Sequence, residues 1–438
     1  MNIEKNNYPM KKIDHLLRFG AALAVALALA AGCKTGSSSN APLEKFIGEL
    51  NVRNFGAIGD GTNKDTVAFQ KALDACAAKG GGQVLVPPGN YLIGSIRLGP
   101  HTSLRLQQGS TIIGSGDTND YPSVPVRWEG RWETGRCSLI YATNACDIAI
   151  TGPGRIEGNP KMAAPQNPRG ALVLEATSCN GVLWKDVTVT QGGNWATHPV
   201  YCTNVVICNV TIMGRRDGID IDSCTNVVID SCNINTGDDS ISLKSGRGAQ
   251  AVAIGRPTED VKIISCTLVD HRFACIGIGS ETSGGIRNVL IAHCKLSAPR
   301  SDGIYIKTRI GRGGAIENIS ADDLDVQDGG FLRVNLISSG NLNTVDDPVP
   351  GLAGYPQGRN FSFTNVRLTN ATELADVSRI SPEKPLEGFT LTNVTGTCTK
   401  GIVLANIIGA SLSDIHVTGF KGALLTYTNV QGTGLDLQ

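Results

Sequence analysis

Three aspartates carry the clearest chemical signal in this sequence. Asp217 is followed by glycine, and Asp238 and Asp239 come after a Thr-Gly pair, 238 − 217 = 21 residues later. If the chain repeats with that period, successive coils stack about 4.8 Å apart and bring the three carboxylates together. They cannot all ionise easily, so one pKa should rise. A protonated acid beside ionised carboxylates can cleave a glycosidic bond; the alternatives are that these residues cap turns or bind calcium.

Internal repeats in the sequence would position these carboxylates. The run Asn204–Ile207 recurs as Asn226–Ile229, an offset of 226 − 204 = 22 residues. Each run alternates like a short strand, and a second such strand follows, for example at 218–221. Related runs occur at 146–150, 181–184, 260–263, 288–291, 318–319, 360–363, 388–391 and 410–413. Short strands at this period predict an all-β fold, a parallel β-solenoid, because a sandwich or propeller would need hairpin turns and longer repeats.

Several of the thirteen cysteines of the chain fit the same repeat. Cys232, Cys266 and Cys294 each lie three residues after the isoleucine of the strand pattern, and Val187 and Val210 occupy this position in earlier repeats. A position shared by valine and cysteine is expected to face the core, so these thiols are predicted to be buried. One or two disulfides elsewhere remain open in an exported protein. No cysteine or histidine spacing indicates zinc, and we expect no metal or cofactor.

One helix is predicted near the start of the chain. Asp65-Thr66 can cap it, and glycines at 80–82 can end it. Its apolar stripe consists of Phe69, Ala72, Leu73 and Cys76. A solenoid exposes its first coil, so a helix covering that end is expected, with the coils beginning at Val84–Tyr91.

The first 45 residues are expected to lie outside the folded domain. Residues 1–33 combine Lys11 and Lys12 with an apolar run that ends Leu-Ala-Ala-Gly-Cys at Cys33, which resembles a bacterial lipoprotein signal. This resemblance implies export, cleavage before Cys33 and lipidation of its sulfur; a plain signal peptide is the alternative. Residues 34–45 are predicted to form a flexible tether, and residues 46–438 a single catalytic β-helix domain.

The charge balance limits the partners. The chain has 39 basic and 39 acidic residues, so its formal net charge is 0. This argues against binding nucleic acid or a membrane surface through bulk charge. No later apolar run is long enough to cross a membrane, so we expect membrane attachment only through the lipid anchor. We also expect a monomer.

Several blocks of the sequence resemble glycoside hydrolase family 28, the polygalacturonases and related pectin hydrolases. The blocks specific to this family are Asp217-Gly218, Thr236–Asp239, Ile278–Glu281 with Gly284-Gly285, and Ile306–Thr308. Those shared with wider pectin-lyase-like proteins are Phe55–Gly61 with Asp65-Thr66, Pro87–Tyr91, and Gly114-Ser115 with Asp120–Pro122. The resemblance covers the chain from about residue 46 to near its C-terminus.

The resemblance implies a single-stranded, right-handed parallel β-helix and hydrolysis with inversion at the anomeric carbon. It assigns Asp238 as the general acid on the glycosidic oxygen, and Asp217 and Asp239 as the residues that hold and deprotonate the attacking water. Inversion is expected to need acid and base carboxyls roughly 6.5–9.5 Å apart. The resemblance also assigns Lys307 to the carboxylate of a uronate sugar, for which an ammonium is a suitable point charge.

Three positions depart from the family pattern. Arg215-Arg216 precede Asp217 where the family has Asn-Thr, Ala274 occupies the place of a histidine, and Tyr305 that of an arginine. Because the three aspartates are intact, we favour altered specificity over lost activity. Loss of a bidentate arginine predicts a subsite for a less acidic sugar, and therefore rhamnogalacturonan rather than plain polygalacturonan as substrate.

Further residues are candidates for contact with a pectic polysaccharide or oligosaccharide. The candidate replacement cations are His271, Arg272, Arg309 and Arg312. His198 lies 217 − 198 = 19 residues before Asp217, about one coil, so it could line the same groove or bond to backbone in a turn. Glu281 could contact the sugar or make a structural hydrogen bond. Trp128 and Trp132 could stack on sugar rings or close a loop.

Two other functional classes remain open. A polysaccharide lyase on the same scaffold would need calcium and an arginine or lysine base, and a carbohydrate-binding solenoid would need no catalytic acid. The segment Asp346–Gly358, rich in proline and glycine, is predicted to be a long loop that could block one end of the groove. Such a block would decide between endo and exo cleavage.

Overall fold

A computed structural model describes residues 49–162, 169–190, 192, 194–341 and 346–437. The predicted signal peptide with Cys33 and the tether at 34–45 lie outside the described residues. Within the described part of the chain, no helix has the length and apolar character needed to cross a membrane.

The regular elements of the described chain are mostly β-strands. In chain order, β1–β18 are Glu49–Asn51, Asp60–Lys64, Gly82–Val86, Gly89–Ile93, Ile96–Arg97, Thr102–Leu106, Ser110–Gly114, Ser123–Trp128, Arg131–Arg136, Ile140–Thr143, Cys146–Thr151, Arg155–Glu157, Leu174–Thr177, Asn180–Lys185, Thr188–Thr190, Thr197–Val200, Thr203–Cys208 and Thr211–Met213. Strands β19–β35 are Ile219–Asp222, Thr225–Asp230, Asn233–Thr236, Ile241–Lys244, Thr258–Ile264, Thr267–Asp270, Ala274–Gly279, Ile286–Ala292, Lys295–Ser297, Asp302–Lys307, Ala315–Gln327, Gly330–Asn335, Gln357–Ala371, Glu373–Arg379, Leu386–Cys398, Ile402–Thr418 and Leu425–Thr433. The helices of the described residues are α1 at Thr66–Ala78 and α2 at Gly248–Ile254, with 3₁₀ turns at Val52–Phe55, Thr118–Asp120 and Gly351–Gly354.

Strands that are three apart in the chain pair in parallel. β17 pairs with β20 and β20 with β23, in the register Val205↔Val227↔Val261. Three strands therefore form one coil through most of the molecule, and the coils stack into one 33-stranded sheet. This confirms the predicted all-β parallel β-helix. The repeats do not predict the third strand of a coil, because a segment such as Thr211–Met213 contains only one buried residue and shows no alternation.

The inner faces of the strands form one continuous apolar core. Equivalent positions of successive coils place buried Val205, Val227 and Val261 in one column. Cys266 and Cys294 are buried free thiols in the same core, as the shared valine and cysteine position predicts. Each thiol lies where a valine stands in earlier coils, at Val187 and Val210, so these cysteines form a second inner column and contribute apolar contacts to the core.

The repeated asparagine marks the bend at which the second strand of a coil begins. Asn204, Asn226 and Asn288 have φ of +56°, +57° and +56°, a left-handed conformation that asparagine tolerates well. Their side chains form a ladder along the β-helix, in which Asn226 Nδ2 donates to Asn204 Oδ1 at 2.5 Å. Asp260 takes the asparagine place in one coil and accepts from Asn288 at 2.9 Å. The sequence repeat therefore reflects a backbone requirement together with a hydrogen-bond ladder.

Helix α1 confirms the helix predicted near the start. Phe69 is fully buried on its apolar face, and its ring meets the Tyr91 ring edge-on with the centres 5.3 Å apart. Asp65 precedes the helix, but its carboxylate accepts from the amides of residues 58 and 59 instead of capping the helix. The coils begin earlier than predicted, because β1 already pairs with β3, ahead of Val84–Tyr91.

One antiparallel hairpin interrupts the parallel coils. β8 pairs with β9 from Ser123↔Arg136 to Trp128↔Arg131, and the connecting Glu129 and Gly130 have φ of +43° and +79°. Positive φ at both central residues is typical of a type I′ hairpin turn, and glycine adopts it without steric cost. Among the described residues the hairpin has no counterpart in the other coils, so the repeats do not predict it.

Candidate active site

The three predicted aspartates lie together at the starts of neighbouring strands. Asp217 precedes β19, and Asp238 and Asp239 precede β22 one coil later, where the Gly218 amide donates to the Asp239 carbonyl at 3.0 Å. One carboxylate oxygen of each aspartate lies within 4.8 Å of those of the other two. This confirms the predicted one-coil stacking. These oxygens are closer than the roughly 6.5–9.5 Å expected between acid and base carboxyls, because Asp238 and Asp239 are adjacent in sequence and Asp217 is only one coil away. The spacing therefore does not support the expected inversion, which stays a prediction from the family resemblance.

Burial and mutual repulsion retain a proton on this cluster. Burial, with the carboxylates of Asp217 and Asp239, raises the pKa of Asp238 to about 7. Burial also raises the pKa of Asp239 to about 6, against the lowering effect of the Lys307 ammonium. The Asp238 side chain is 20% exposed and that of Asp239 only 3%. Asp238 is therefore the carboxyl best placed both to be protonated near neutral pH and to reach a ligand.

Lys307 lies on β28, two coils beyond Asp238 and Asp239, and its side chain reaches back to Asp239. Its Nζ contacts Asp239 Oδ2 at 2.6 Å. The intervening strand β25 carries Gly277, and a Cβ at this position would lie only 2.5 Å from Asp239 Oδ2. The missing side chain at Gly277 therefore gives the Asp239 carboxylate the room in which it meets Lys307.

A second lysine, Lys244 on β22, is a functional candidate that the sequence reasoning missed. Its Nζ lies 2.8 Å from Asp220, 3.2 Å from Asp217 and 3.8 Å from the centre of the Trp195 ring. Its ammonium therefore lies against Asp217, which lines the groove, and against the fully buried Asp220. Two signals could have identified it: the alternation in Ile-Ser-Leu-Lys directs Lys244 outward, and Asp222 stands at the equivalent position one coil earlier.

His198 is buried beneath the groove, so the prediction that it lines the groove is wrong. Its ring has no solvent exposure, and its Nε2 lies 3.9 Å from Asp222 Oδ2. Burial lowers the pKa of His198 to about 3, which keeps the ring neutral. Arg127 on β8 forms the buried ion pair with Asp222, at 2.9 Å. The hairpin thus covers the outer face of the coil on which His198 lies.

The tip of the β8–β9 hairpin forms one wall of the groove. Trp128 stacks on Trp195, with ring centres 3.9 Å and planes 20° apart. Trp128 and Glu129 line the groove, which encloses about 630 Å³. Trp132, on the other strand of the hairpin, lies with its ring centre 6.2 Å from that of Tyr201 and is not part of this lining. Of the two candidate sugar-stacking tryptophans, Trp128 is therefore the one at the groove.

Tyr305, Glu281 and Arg216 also line the groove. The Tyr305 hydroxyl shares a hydrogen bond with Ser339 Oγ at 2.8 Å. Arg216, which the sequence marks only as a departure from the family pattern, has its Nη1 3.9 Å from Asp238 Oδ2. Glu281 is 6% exposed. Contact of Tyr305 and Glu281 with a substrate stays a prediction.

The predicted replacement cations are dispersed. Arg272 lines a neighbouring cavity, and the exposed His271 ring bonds to the Asn235 side chain at 3.0 Å. Arg309 and Arg312 both pair with the Asp346 carboxylate, at 2.5 and 3.0 Å. The structure therefore does not bring His271, Arg309 or Arg312 into the groove lining, because their side chains have partners elsewhere.

Asp346 also begins the segment predicted to block one end of the groove. Its side chain is 9% exposed and lies among arginines, and the following Asp347 is 3.5 Å from Arg131 of the hairpin. These contacts anchor the start of the segment beside the hairpin. A role of Asp346–Gly358 in endo or exo cleavage stays a prediction.

The three clustered aspartates are also the residues whose oxygens could hold a metal ion in the described chain. Two ammonium groups already lie against them, Lys307 on Asp239 and Lys244 on Asp217. A divalent cation would be placed beside both positive charges. The donor set therefore favours proton transfer over calcium binding.

Comparison with known proteins agrees with this geometry. Residues 76–330 match the sequence model of glycosyl hydrolases family 28. A probable polygalacturonase of Vitis vinifera is 32% identical over 361 residues, which cover 78% of this chain and 72% of the relative.

Two solved structures share the fold. An exopolygalacturonase from Thermotoga maritima has a TM-score of 0.67 at 24% identity, over 94% of this chain and 96% of that chain. A family 28 exopolygalacturonase from Yersinia enterocolitica has a TM-score of 0.76 at 20% identity, over 89% of this chain and 78% of that chain. With the matched family region, the parallel β-helix and the clustered carboxylates together, the chain belongs to glycosyl hydrolases family 28 and is a glycosidase.

Proposed function

We propose that this chain hydrolyses the backbone of galacturonate-containing pectin with inversion at the anomeric carbon, and that rhamnogalacturonan rather than plain polygalacturonan is its substrate. The observation that carries the proposal is the Asp238 carboxyl, whose pKa is raised to about 7 beside two further aspartates in an open groove. The relative named as a probable polygalacturonase supports the pectic class of substrate.

In the proposed reaction, Asp238 donates its proton to the glycosidic oxygen while the bond to the anomeric carbon breaks. A water held by Asp217 and Asp239 gives one proton to them and forms the new bond on the opposite face of the ring. Carboxylate oxygens within 4.8 Å of each other can share one water, because each hydrogen bond is about 2.7–2.8 Å long. Asp238 ends ionised and the base ends protonated, so the charges balance.

The two lysines have different parts in this mechanism. Lys307 is 11% exposed, so it can receive a uronate carboxylate while its contact with Asp239 favours the ionised form of that base. Lys244 is more deeply buried and supports the negative charge of Asp217 from below. Lys307 is thus a substrate contact, and Lys244 is a positioning residue.

The substrate preference rests on the aromatic surface beside Lys307. Phe273 is 37% exposed and lines the groove together with Tyr305, which stands where the family has an arginine. Ala274 is fully buried and offers no cation in place of the family's histidine. An aromatic surface suits the apolar face and methyl group of a deoxy sugar such as rhamnose better than a second uronate.

Separate digestion of polygalacturonan and rhamnogalacturonan backbone tests this proposal. We expect faster release of oligosaccharides from rhamnogalacturonan, with the inverted anomer in the first proton NMR spectra, and loss of release in Asp238→Asn. Efficient cleavage of polygalacturonan alone would refute the preference. A product that absorbs in the ultraviolet as an unsaturated uronate would indicate a lyase, and binding without release by the wild type would indicate a carbohydrate-binding solenoid.

We also propose that the protein is exported and held at a membrane by a lipid on Cys33, with residues 34–45 as the tether of a monomeric catalytic domain at 46–438. The support is the sequence pattern of the first 45 residues. Cys33→Ser should move the protein from the membrane fraction to the soluble fraction after cell lysis. Unchanged fractionation would refute the lipid anchor, and light scattering on the released domain measures its mass.

A further inference from the structure

A second cavity of about 370 Å³ adjoins the groove. It shares Phe273 and Tyr305 with the groove lining, and its other residues include 299–302, 329 and 333 from the next two coils. The recess along the outer surface thus continues past the aspartates toward the C-terminal coils, whereas the stacked Trp128 and Trp195 form a wall on the other side. None of the steps proposed above uses this cavity.

The charges around this cavity leave two arginines for a ligand. Arg333 lies 3.1 Å from Asp302 and 3.7 Å from Glu373, so its charge is compensated. Arg272 and Arg300 also line the cavity, and in the described part of the chain no carboxylate lies within ion-pair distance of either guanidinium. A planar guanidinium can make two parallel hydrogen bonds to one carboxylate. An anionic group is therefore the ligand chemistry that this cavity fits.

Cations flank the shared aromatic pair on both sides. Lys307 Nζ lies 5.7 Å from the centre of the Phe273 ring and 5.5 Å from that of Tyr305. On the cavity side, the Arg272 guanidinium lies 5.0 Å from the Phe273 ring centre. Coils rise about 4.8 Å each, and a pyranose unit extends a polysaccharide by a comparable length. The recess therefore presents positive, aromatic and positive zones at about the spacing of successive sugars.

We propose that the second cavity is a subsite for a uronate sugar, bound through its carboxylate by Arg272 and Arg300, and separated from the cleavage site by a neutral sugar on Phe273 and Tyr305. This inference rests on the proposed function and deepens it. An alternating chain of acidic and neutral sugars matches all three zones, whereas a chain of uronates alone would place a carboxylate against the aromatic pair.

The test compares the wild type with the double variant Arg272→Gln/Arg300→Gln on rhamnogalacturonan oligosaccharides of increasing length. For the wild type, kcat/KM should rise once the oligosaccharide is long enough to enter the cavity. The double variant should lose about 10- to 100-fold of kcat/KM on these long substrates, the range for hydrogen bonds to charged groups, and keep its rate on short ones. Reducing the uronate carboxyls of a long substrate to alcohols should lower both rates and abolish the difference between the wild type and the double variant.

Arg105→Gln is the matched control, because Arg105 is exposed on an early coil and lines neither recess. An undiminished length gain in the double variant, with normal cleavage of short substrates, overturns the subsite and leaves the proposed function intact. If the wild type cleaves no pectic oligosaccharide, the proposed function fails. The subsite is then decided by calorimetry with the long oligosaccharide, where equal affinities of the wild type and the double variant overturn it and a weaker affinity of the variant supports it.

Discussion

Strand β19 buries both of its faces, but the two faces differ in chemistry. Ile219 and Ile221 point to the core and Asp220 and Asp222 point outward, and all four residues are at most 1% exposed. The inner residues pack against equivalent apolar residues of the next coil. The outer carboxylates have no such equivalents, since the next coil presents a serine and a lysine at their positions. Equal burial is thus reached by repetition on one face and by specific ion pairs on the other.

The outward carboxylates of β19 are paired by cations from other parts of the chain. Asp222 is paired by Arg127, 95 residues earlier on the hairpin, and Asp220 by Lys244 on the next coil. Removing one partner of a buried pair leaves an uncompensated charge, whereas an inner isoleucine loses only contacts and volume. Changes on the inner face should therefore reduce stability with little effect on turnover. Removing a catalytic carboxyl of the aspartate cluster should reduce turnover with little effect on stability, and removing the cation of a buried outer pair should reduce stability.

The largest contrast is expected between Asp238→Asn and Ile221→Ala. Loss of the general acid should lower kcat about 10²- to 10⁴-fold without lowering the free energy of unfolding, because one crowded carboxylate is removed. Ile221→Ala should reduce the free energy of unfolding by about 2–5 kcal/mol and leave the turnover of the folded protein unchanged. Oligosaccharide release and urea unfolding measure the two quantities. A kcat of Asp238→Asn within tenfold of the wild type would contradict the assignment.

Lys244→Met should lower both the stability and the turnover of the protein. Asp217 and Asp220 lose their shared ammonium, so we expect the free energy of unfolding to fall by about 3–5 kcal/mol and kcat to fall as well. Adding Asp220→Asn should restore part of the stability but not the turnover, because it removes a carboxyl whose pKa is held well above its ordinary value by burial and by Asp217. Lys295→Met is the control, since Lys295 is exposed and should change stability by less than about 0.5 kcal/mol. Normal stability of Lys244→Met would refute the ion pairing.

The pH dependence of kcat/KM should distinguish the proposed acid, Asp238, from the proposed base, Asp239. Activity needs Asp238 protonated and Asp239 ionised, and their pKa values of about 7 and about 6 predict a narrow optimum of kcat/KM between them. Lys307→Met should move the acidic limb to higher pH, because the ammonium that lowers the pKa of Asp239 is removed. An unchanged acidic limb would contradict the role of Lys307 beside this base.

The same pKa values predict an effect on stability. The carboxyls of Asp238 and Asp239 have pKa values in the folded protein above the ordinary 3.8. At a pH between 3.8 and these raised values, the folded protein therefore binds more protons than the unfolded chain. Their contribution therefore makes the protein more stable as the pH falls from 8 to 5. The pH-dependent difference in the unfolding midpoint between wild type and Asp238→Asn measures the part due to Asp238.

The smallest effect is expected for Cys266→Val in the inner column. Valine occupies the equivalent place in earlier coils, so the free energy of unfolding should change by less than about 1.5 kcal/mol and the turnover should not change. Thr267→Val, on the adjacent exposed residue, gives the baseline in the same urea experiment. A loss well above 3 kcal/mol would show that the thiol is not equivalent to valine in this core.

The parts of the fold that repeat could be predicted from the sequence. Asn204 and Asn226 recur because each coil needs the same left-handed bend, and the apolar residues after them recur because they face one core. The β8–β9 hairpin occurs once in the part of the chain that the structure describes, so no repeat indicates it. Thr211–Met213 is too short to show alternation, although it forms the third strand of its coil.

The site was predictable to the extent that it follows the repeat. Asp217, Asp238 and Asp239 lie one coil apart in sequence, so their approach follows from the period alone. The interpretation of His198 failed because the cover over its coil comes from the distant hairpin. Lys244 was missed because its role depends on which outward carboxylates surround it, which the resemblance to a family does not specify.

The asparagine ladder has a direction, since each amide donates to the coil before it. Asp260 accepts from Asn288, but a carboxylate has no proton to pass on to Asn226. The side-chain ladder is therefore two separate stacks that meet between β20 and β23, where α2 is inserted. Cooperative strengthening between the amides ends at that junction. Local opening between β20 and β23 should therefore need less free energy than opening within either stack, and amide exchange on these two strands should be faster than on strands inside a stack.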